Sequence, residues 1–233
     1  LNGSQTWLDR AFDRADAEDA GTIVMEFVGD PVFRELPWEL LADDEGFLAQ
    51  VGAPVFSPVR LVARRRVSER RRPLKPGEKD PSLLFLAAAP DGVEPELDYE
   101  EEETRIDDAV LRRRFEFVAE ESGSLAGLKE RLALRGEGGW DFLHFTCHGT
   151  LEPEPSLVLE DEYGMRADCT GSDLKDVVGK RPPRFVFVSA CHSMEAPNAN
   201  LGRSLGERLV VDARAQNVLG WSSSVFDHEA ITF

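Results

Sequence analysis

Two side chains in this sequence have the types and placement for nucleophilic acyl transfer. Cys191 closes the run Arg184-Phe185-Val186-Phe187-Val188-Ser189-Ala190-Cys191, and His148 stands near the end of Phe142-Leu143-His144-Phe145-Thr146-Cys147-His148-Gly149. Each is a largely apolar run that stops at a reactive group. Runs of this kind read as parallel strands buried on both faces, and such sheets place their chemistry just beyond the strands' carboxyl ends. A free thiol, with a pKa of about 8.5, is mostly protonated at neutral pH and needs a base to become a nucleophile. His148 is the candidate base and Cys191 the candidate nucleophile. Gly149 and Cys191 each offer a backbone N–H, and two such donors would stabilise the oxyanion formed when a thiolate attacks a peptide carbonyl.

Other arrangements compete for these residues. His144 lies on the same side of its strand as His148 by period two but deeper, and reads as packing. His192 follows the nucleophile and reads as a loop residue. Cys147, His148, Cys191 and His192 make poor zinc ligands, because adjacent side chains of a strand point to opposite faces. Gly202-Arg203-Ser204-Leu205-Gly206 has the letters of a nucleophile elbow but follows the polar loop 195–200 rather than a strand, so it reads as a helix start. Gly136-Glu137-Gly138-Gly139 precedes a strand and reads as a turn, not a phosphate loop. No cofactor is expected.

The elements around the two runs alternate. Strands are expected over 22–27, 58–63, 83–88, 115–119, 140–147, 184–190 and 217–221. Helices are expected near the start of the chain around Trp7, Leu8 and Phe12, from Leu36 with Pro37 in the first turn, over 97–111, 124–134, 172–178 and 201–211. In the 97–111 helix Ile106, Val110 and Leu111 are the expected inward residues, and Ser172 is the expected cap of the next-to-last helix. Strands alternating with helices at this spacing predict a mainly parallel sheet with helices on both faces. The Pro-rich, charged stretch Arg70–Ser82 reads as a linker, between a small N-terminal α+β subdomain (1–69) and a core (83–233). The basic runs Arg64–Arg66 and Arg70–Arg72 read as solvated surface or a docking patch.

Bulk composition narrows the function classes. The 233 residues are 42% hydrophobic and 30% charged, with 27 Lys and Arg against 44 Asp and Glu and a net charge of −17. That balance disfavours direct nucleic-acid binding and suits basic or neutral partners. Three cysteines without framework spacing argue against a disulfide scaffold. No leader and no membrane-length apolar run is visible, so the expected location is the cytoplasm. A first residue of Leu1 rather than Met reads as the start of an excised or processed piece.

Several short motifs, in order, resemble one known family. His144-Phe145-Thr146-Cys147-His148-Gly149 and Val188-Ser189-Ala190-Cys191 resemble the His-Gly and Ala-Cys motifs of the CHAT domain, a caspase-like cysteine peptidase family related to separases. Leu157-Val158-Leu159-Glu160-Asp161 resembles the strand between them. Asn217-Val218-Leu219-Gly220 with Val225 and Asp227 resembles the last core strand and its Val-x-Asp. Leu36-Pro37-Trp38-Glu39-Leu40-Leu41 resembles the N-terminal motif. The resemblance implies a caspase-like three-layer sandwich and a cysteine endopeptidase using His148 as base and Cys191 as nucleophile. It also implies attached or partner sensor domains that regulate cleavage, often in bacterial defence or signalling.

Ser189 is implied to line the primary pocket; Trp221 would form a wall of it, and Asp227 would supply a carboxylate or cap a final helix. Two departures are visible. Ser223 stands where a Trp often precedes the Val-x-Asp by two residues, and the chain stops at Phe233, where such domains usually continue through another helix. The loop 193–200 is expected to order on activation. A fold-retaining but inactive binding module and a thiol-dependent acyl transferase are the alternative functions.

Overall fold

The computed structural model describes residues 6–34, 36–43, 46–50, 54–62, 80–136, 139–197 and 202–232. The chain divides into two compact units, 1–64 and 65–233. Most of the 70–82 stretch read as a linker, and both basic runs, lie outside the described residues.

The first unit is organised by aromatic packing. It contains α1 (Trp7–Ala17), β1 (Thr22–Phe27), α2 (Pro31–Arg34), a 3₁₀ turn (Trp38–Leu40), the short antiparallel pair β2 (Ala42–Asp43) and β3 (Gly46–Phe47), and β4 (Val55–Arg60). β1 and β4 pair in parallel, Thr22 opposite Val55. That register places the second strand three residues before the expected 58–63. The helix expected from Leu36 is a single 3₁₀ turn instead. Trp38 stacks on Phe27 at 4.0 Å and donates its indole N–H to the Phe33 carbonyl, so the ring is drawn into the core and Leu41 turns extended.

The second unit is built on a five-stranded parallel sheet in the order β12-β11-β7-β5-β6. Its strands are β5 (Ser82–Ala87), β6 (Glu116–Glu120), β7 (Phe142–Thr146), β11 (Phe185–Ser189) and β12 (Asn217–Gly220). The three central strands are the continuous apolar runs of the sequence, as burial on both faces requires. Against one face pack α4 (Leu125–Leu134), α5 (Gly171–Val178) and α6 (Leu205–Val211). Leu128, Leu132, Leu174, Val178, Leu205 and Leu209 of these helices close an apolar core over alternate strand residues such as Leu84, Leu143 and Val186. Ser204 caps α6 by accepting from Glu207 N–H, so its Gly-x-Ser-x-Gly string is a helix start.

The opposite face carries α3 (Tyr99–Leu111), which contacts α7 (Asp227–Thr232). Here the expected inward residues are only partly so. Leu111 is 65% exposed, whereas Glu102 is buried, because its carboxylate meets His144 Nε2 at 2.7 Å over β7. A polar pair, not an apolar stripe, fixes the rotation of this helix. The cap of α5 also differs: Thr170, not Ser172, accepts from Asp173 N–H, and the Asp173 carboxylate returns the bond.

A second, antiparallel sheet, β10-β9-β8, joins β8 (His148–Thr150), β9 (Ser156–Glu160) and β10 (Arg166–Thr170). His148 therefore does not end β7; it opens β8, with Cys147 at the break.

One buried carboxylate pins the amino ends of the central strands. Asp141, fully buried, accepts from Arg184 Nε at 2.8 Å and from Ser82 Oγ at 3.1 Å, and its carbonyl takes the N–H groups of Arg184 and Phe185. Asp141→Ala leaves the Arg184 guanidinium, little exposed itself, without this partner. A loss of about 3–5 kcal/mol is expected, read as a fall in Tm of about 10 °C; a shift under about 2 °C in a thermal melt would show that the clamp carries little.

Candidate active site

The carboxyl ends of β7 and β11 lie side by side in register, Thr146 opposite Ser189. The chain leaving β7 donates Cys147 N–H to Ser189 carbonyl at 3.3 Å before turning into β8. Two residues past β11, Cys191 is half-buried. Gly149 is what brings the two segments together: a Cβ built on it would lie 2.0 Å from the Cys191 carbonyl oxygen, 3.1 Å from its carbon and 3.4 Å from its nitrogen. Only a residue without a side chain permits that approach. His148 is thus the immediate chain neighbour of the residue packed on the Cys191 peptide.

The His148 ring is held from the other side. Its Nε2 lies 2.8 Å from the carbonyl oxygen of Pro95, in the loop between β5 and α3. A carbonyl only accepts, so Nε2 carries the hydrogen and, in the neutral ring, Nδ1 carries the lone pair. The arrangement presets a tautomer able to take a proton. A cavity of about 210 Å³ adjoins the ring, framed by the 89–97 loop. Asp91, Glu94 and Glu96 belong to that loop and are exposed.

Cys191 Sγ has two backbone partners on Val225: the N–H at 3.4 Å and the carbonyl at 3.6 Å. Ser189, buried, sits two residues before the thiol, and the Trp221 ring meets Phe187 edge-on at 6.3 Å on the same strand side. Asp227 opens α7, and one carboxylate oxygen accepts from Asp98 N–H at 2.9 Å, tying α7 to the start of α3. His144 is buried between Phe85 and Phe187 and bound to Glu102. Among the described residues no three His, Cys, Asp or Glu side chains gather as a metal site requires.

The chain matches the family model of the CHAT domain over residues 5–230, which spans both units. The chain belongs to the CHAT domain family. That family is related to caspase-like cysteine peptidases, and the parallel sheet with helices on both faces is the architecture such a membership implies. A comparison with the curated proteins finds no match. No helix among the described residues is long and apolar enough to cross a membrane.

The other polar partners around these residues have weaker sequence signals. Pro95 follows the carboxyl end of β5, but nothing in its type announces a carbonyl bound to His148. Glu102 hides within four consecutive glutamates. His192 contacts Glu195, three residues on, and Ser224, 32 positions away, and no local pattern pairs it with the latter.

The three cysteines sit in different environments. Cys147 and Cys169 are buried, and burial pushes both thiols up, that of Cys169 to about 12. At pH 7 a thiol with that value is ionised in roughly one part in 10⁵. Iodoacetamide is therefore expected to modify Cys191 first in the folded protein, by at least about 100-fold in rate, with Cys147 and Cys169 reacting only on unfolding. Peptide mapping by mass spectrometry checks this; early modification of either buried cysteine would overturn it.

Proposed function

We propose that this CHAT domain is a cysteine endopeptidase that cleaves a protein substrate through His148 and Cys191. The observation that carries the reading is the packing of Gly149 on the Cys191 peptide, combined with a His148 ring whose Nε2 is committed to Pro95. The free Nδ1 would take the thiol proton as Sγ attacks the scissile carbonyl carbon. The new C–S bond moves the carbonyl electrons onto oxygen, where the N–H groups of Gly149 and Cys191 would hold the charge. Collapse breaks the C–N bond, and the imidazolium returns the proton to the departing amine. Water, deprotonated by His148, then hydrolyses the thioester and regenerates the thiol.

Ser189 and Trp221 would line the pocket for the residue before the cut. Asp227 would contribute there through its carboxylate, one oxygen of which already serves Asp98. A net charge of −17 suits a basic or neutral protein substrate and a protein regulator better than nucleic acid or an acidic membrane surface. An attached or partner sensor domain would control cleavage, in a cytoplasmic defence or signalling role that needs no cofactor.

The test is a peptide-library digest with wild-type protein before and after treatment with a peptidyl ketone that alkylates active-site thiols. Cleavage should stop as the adduct mass appears on Cys191. Cleavage that persists with Cys191 fully modified, or no cleavage of any library or protein substrate by the activated domain, would sink the reading.

A further inference from the structure

Three side chains outside the proposed dyad form a hydrogen-bonded series next to the thiol. His192, directly after Cys191, has a φ of 58°, in the left-handed region that few non-glycine residues enter. Its Nδ1 meets Glu195 Oε2 at 2.5 Å, and its Nε2 meets Ser224 Oγ at 2.9 Å. A carboxylate only accepts, so Nδ1 carries the hydrogen, and Nε2 of the neutral ring accepts from the Ser224 hydroxyl. The backbone is stitched alongside. His192 N–H donates to Ser223 carbonyl at 3.1 Å, and Met194 N–H to Trp221 carbonyl at 2.8 Å. Ser193 Oγ accepts from Trp221 N–H at 3.1 Å and donates to Val188 carbonyl at 3.2 Å.

Ser224 is the chain neighbour of Val225, the residue whose peptide groups touch Cys191 Sγ. We propose that Glu195, His192 and Ser224 are positioning residues that hold the Val225 N–H against the Cys191 sulfur and thereby raise the reactivity of this thiol. The two Val225 contacts pull in opposite directions, and their chemistry decides the sign. The N–H donates to sulfur, and such a bond strengthens when sulfur becomes an anion. The carbonyl can only receive an S–H, a weak donor, at the longer distance. The N–H contact therefore favours the attacking form more than the carbonyl contact favours the resting one.

The inference rests on Cys191 being the nucleophile, yet its test needs no peptide substrate. Iodoacetamide alkylation of Cys191 at pH 7, followed by peptide mapping, reads the sulfur directly. His192→Ala and Ser224→Ala are each expected to slow this rate about tenfold, the worth of one charge-assisted hydrogen bond. Ser224→Thr, which keeps the hydroxyl, is expected to restore most of it. Ser224 is exposed, so its variants keep the test open if His192→Ala fails to fold. An unchanged alkylation rate in Ser224→Ala with an unchanged Tm would overturn the proposal. A faster rate would overturn it too, by showing that the 224–225 segment covers the thiol rather than activating it. If wild type cleaves no peptide while the alkylation rates still divide as expected, the proposed peptidase activity fails and the positioning role stands.

Discussion

Cys191→Ala is expected to abolish peptide cleavage, and His148→Ala to lower kcat/KM by about 10²–10⁴-fold, the usual contribution of a positioned base. The two losses differ for a physical reason. Without the sulfur no acyl-enzyme can form. Without the imidazole the thiol still exists and ionises slightly, so slow attack continues and should recover in part as the pH rises. Neither side chain is deeply buried, and each replacement deletes an interaction with a single backbone segment, Val225 or Pro95. Both variants should therefore fold, with Tm close to that of wild type. Steady-state cleavage of the preferred library peptide, measured beside a thermal melt, separates lost chemistry from lost structure. Cleavage retained by folded Cys191→Ala would rule out the thiol mechanism.

Gly149→Ala is expected to be nearly as damaging without touching either reactive group. The added methyl would begin 2.0 Å from the Cys191 carbonyl oxygen, and the atoms it meets are all backbone, which cannot swing aside as a side-chain tip can. β8 is also tied to β9. Gly149 is paired with Leu157, which is fully buried in the main core cluster. The strain must be relieved by moving the Cys191 peptide, the proposed oxyanion donor and the support of the proposed nucleophile. A displacement near 1 Å costs about 10²-fold in rate, and overpacking of this kind costs about 1–3 kcal/mol in stability. The kinetics should show the loss mainly in kcat, with Tm falling by a few degrees. Wild-type turnover in Gly149→Ala would mean that this close approach does not align the site.

The parts of the fold legible in the sequence are those whose environment is uniform along several residues. β5, β7 and β11 sit in the middle of the sheet, so most of their residues are buried and the apolar run shows. Edge strand β6 shows because Phe115, Glu116 and Phe117 alternate in type, and α4 because Ser124 caps it and Gly136, with a φ of 72°, follows it. Elements defined by a partner far away are not legible in the same way. β8 has three residues, one of them glycine, and becomes a strand only because β9 lies beside it. The rotation of α3 is set by Glu102, which no periodicity argument would place inside, since a lone buried carboxylate is prohibitively costly until His144 is supplied.

The same division runs through the site. Residue types and their positions at the ends of apolar runs point to His148, Gly149 and Cys191 as candidates, and the parallel pairing of β7 with β11 brings Gly149 onto the Cys191 peptide. What surrounds those residues was decided only in three dimensions. The Pro95 carbonyl that sets the tautomer of His148 comes from 53 positions away in the chain, and the Val225 peptide on the Cys191 sulfur from 34. The Asp227 carboxylate meets the start of α3, 129 positions away, and His192 is joined to Ser224 across 32. Local sequence carries side-chain chemistry and strand or helix period. Which backbone carbonyl or N–H faces a given side chain depends on how loops from separate strands pack, and that information lies in no single stretch of the chain.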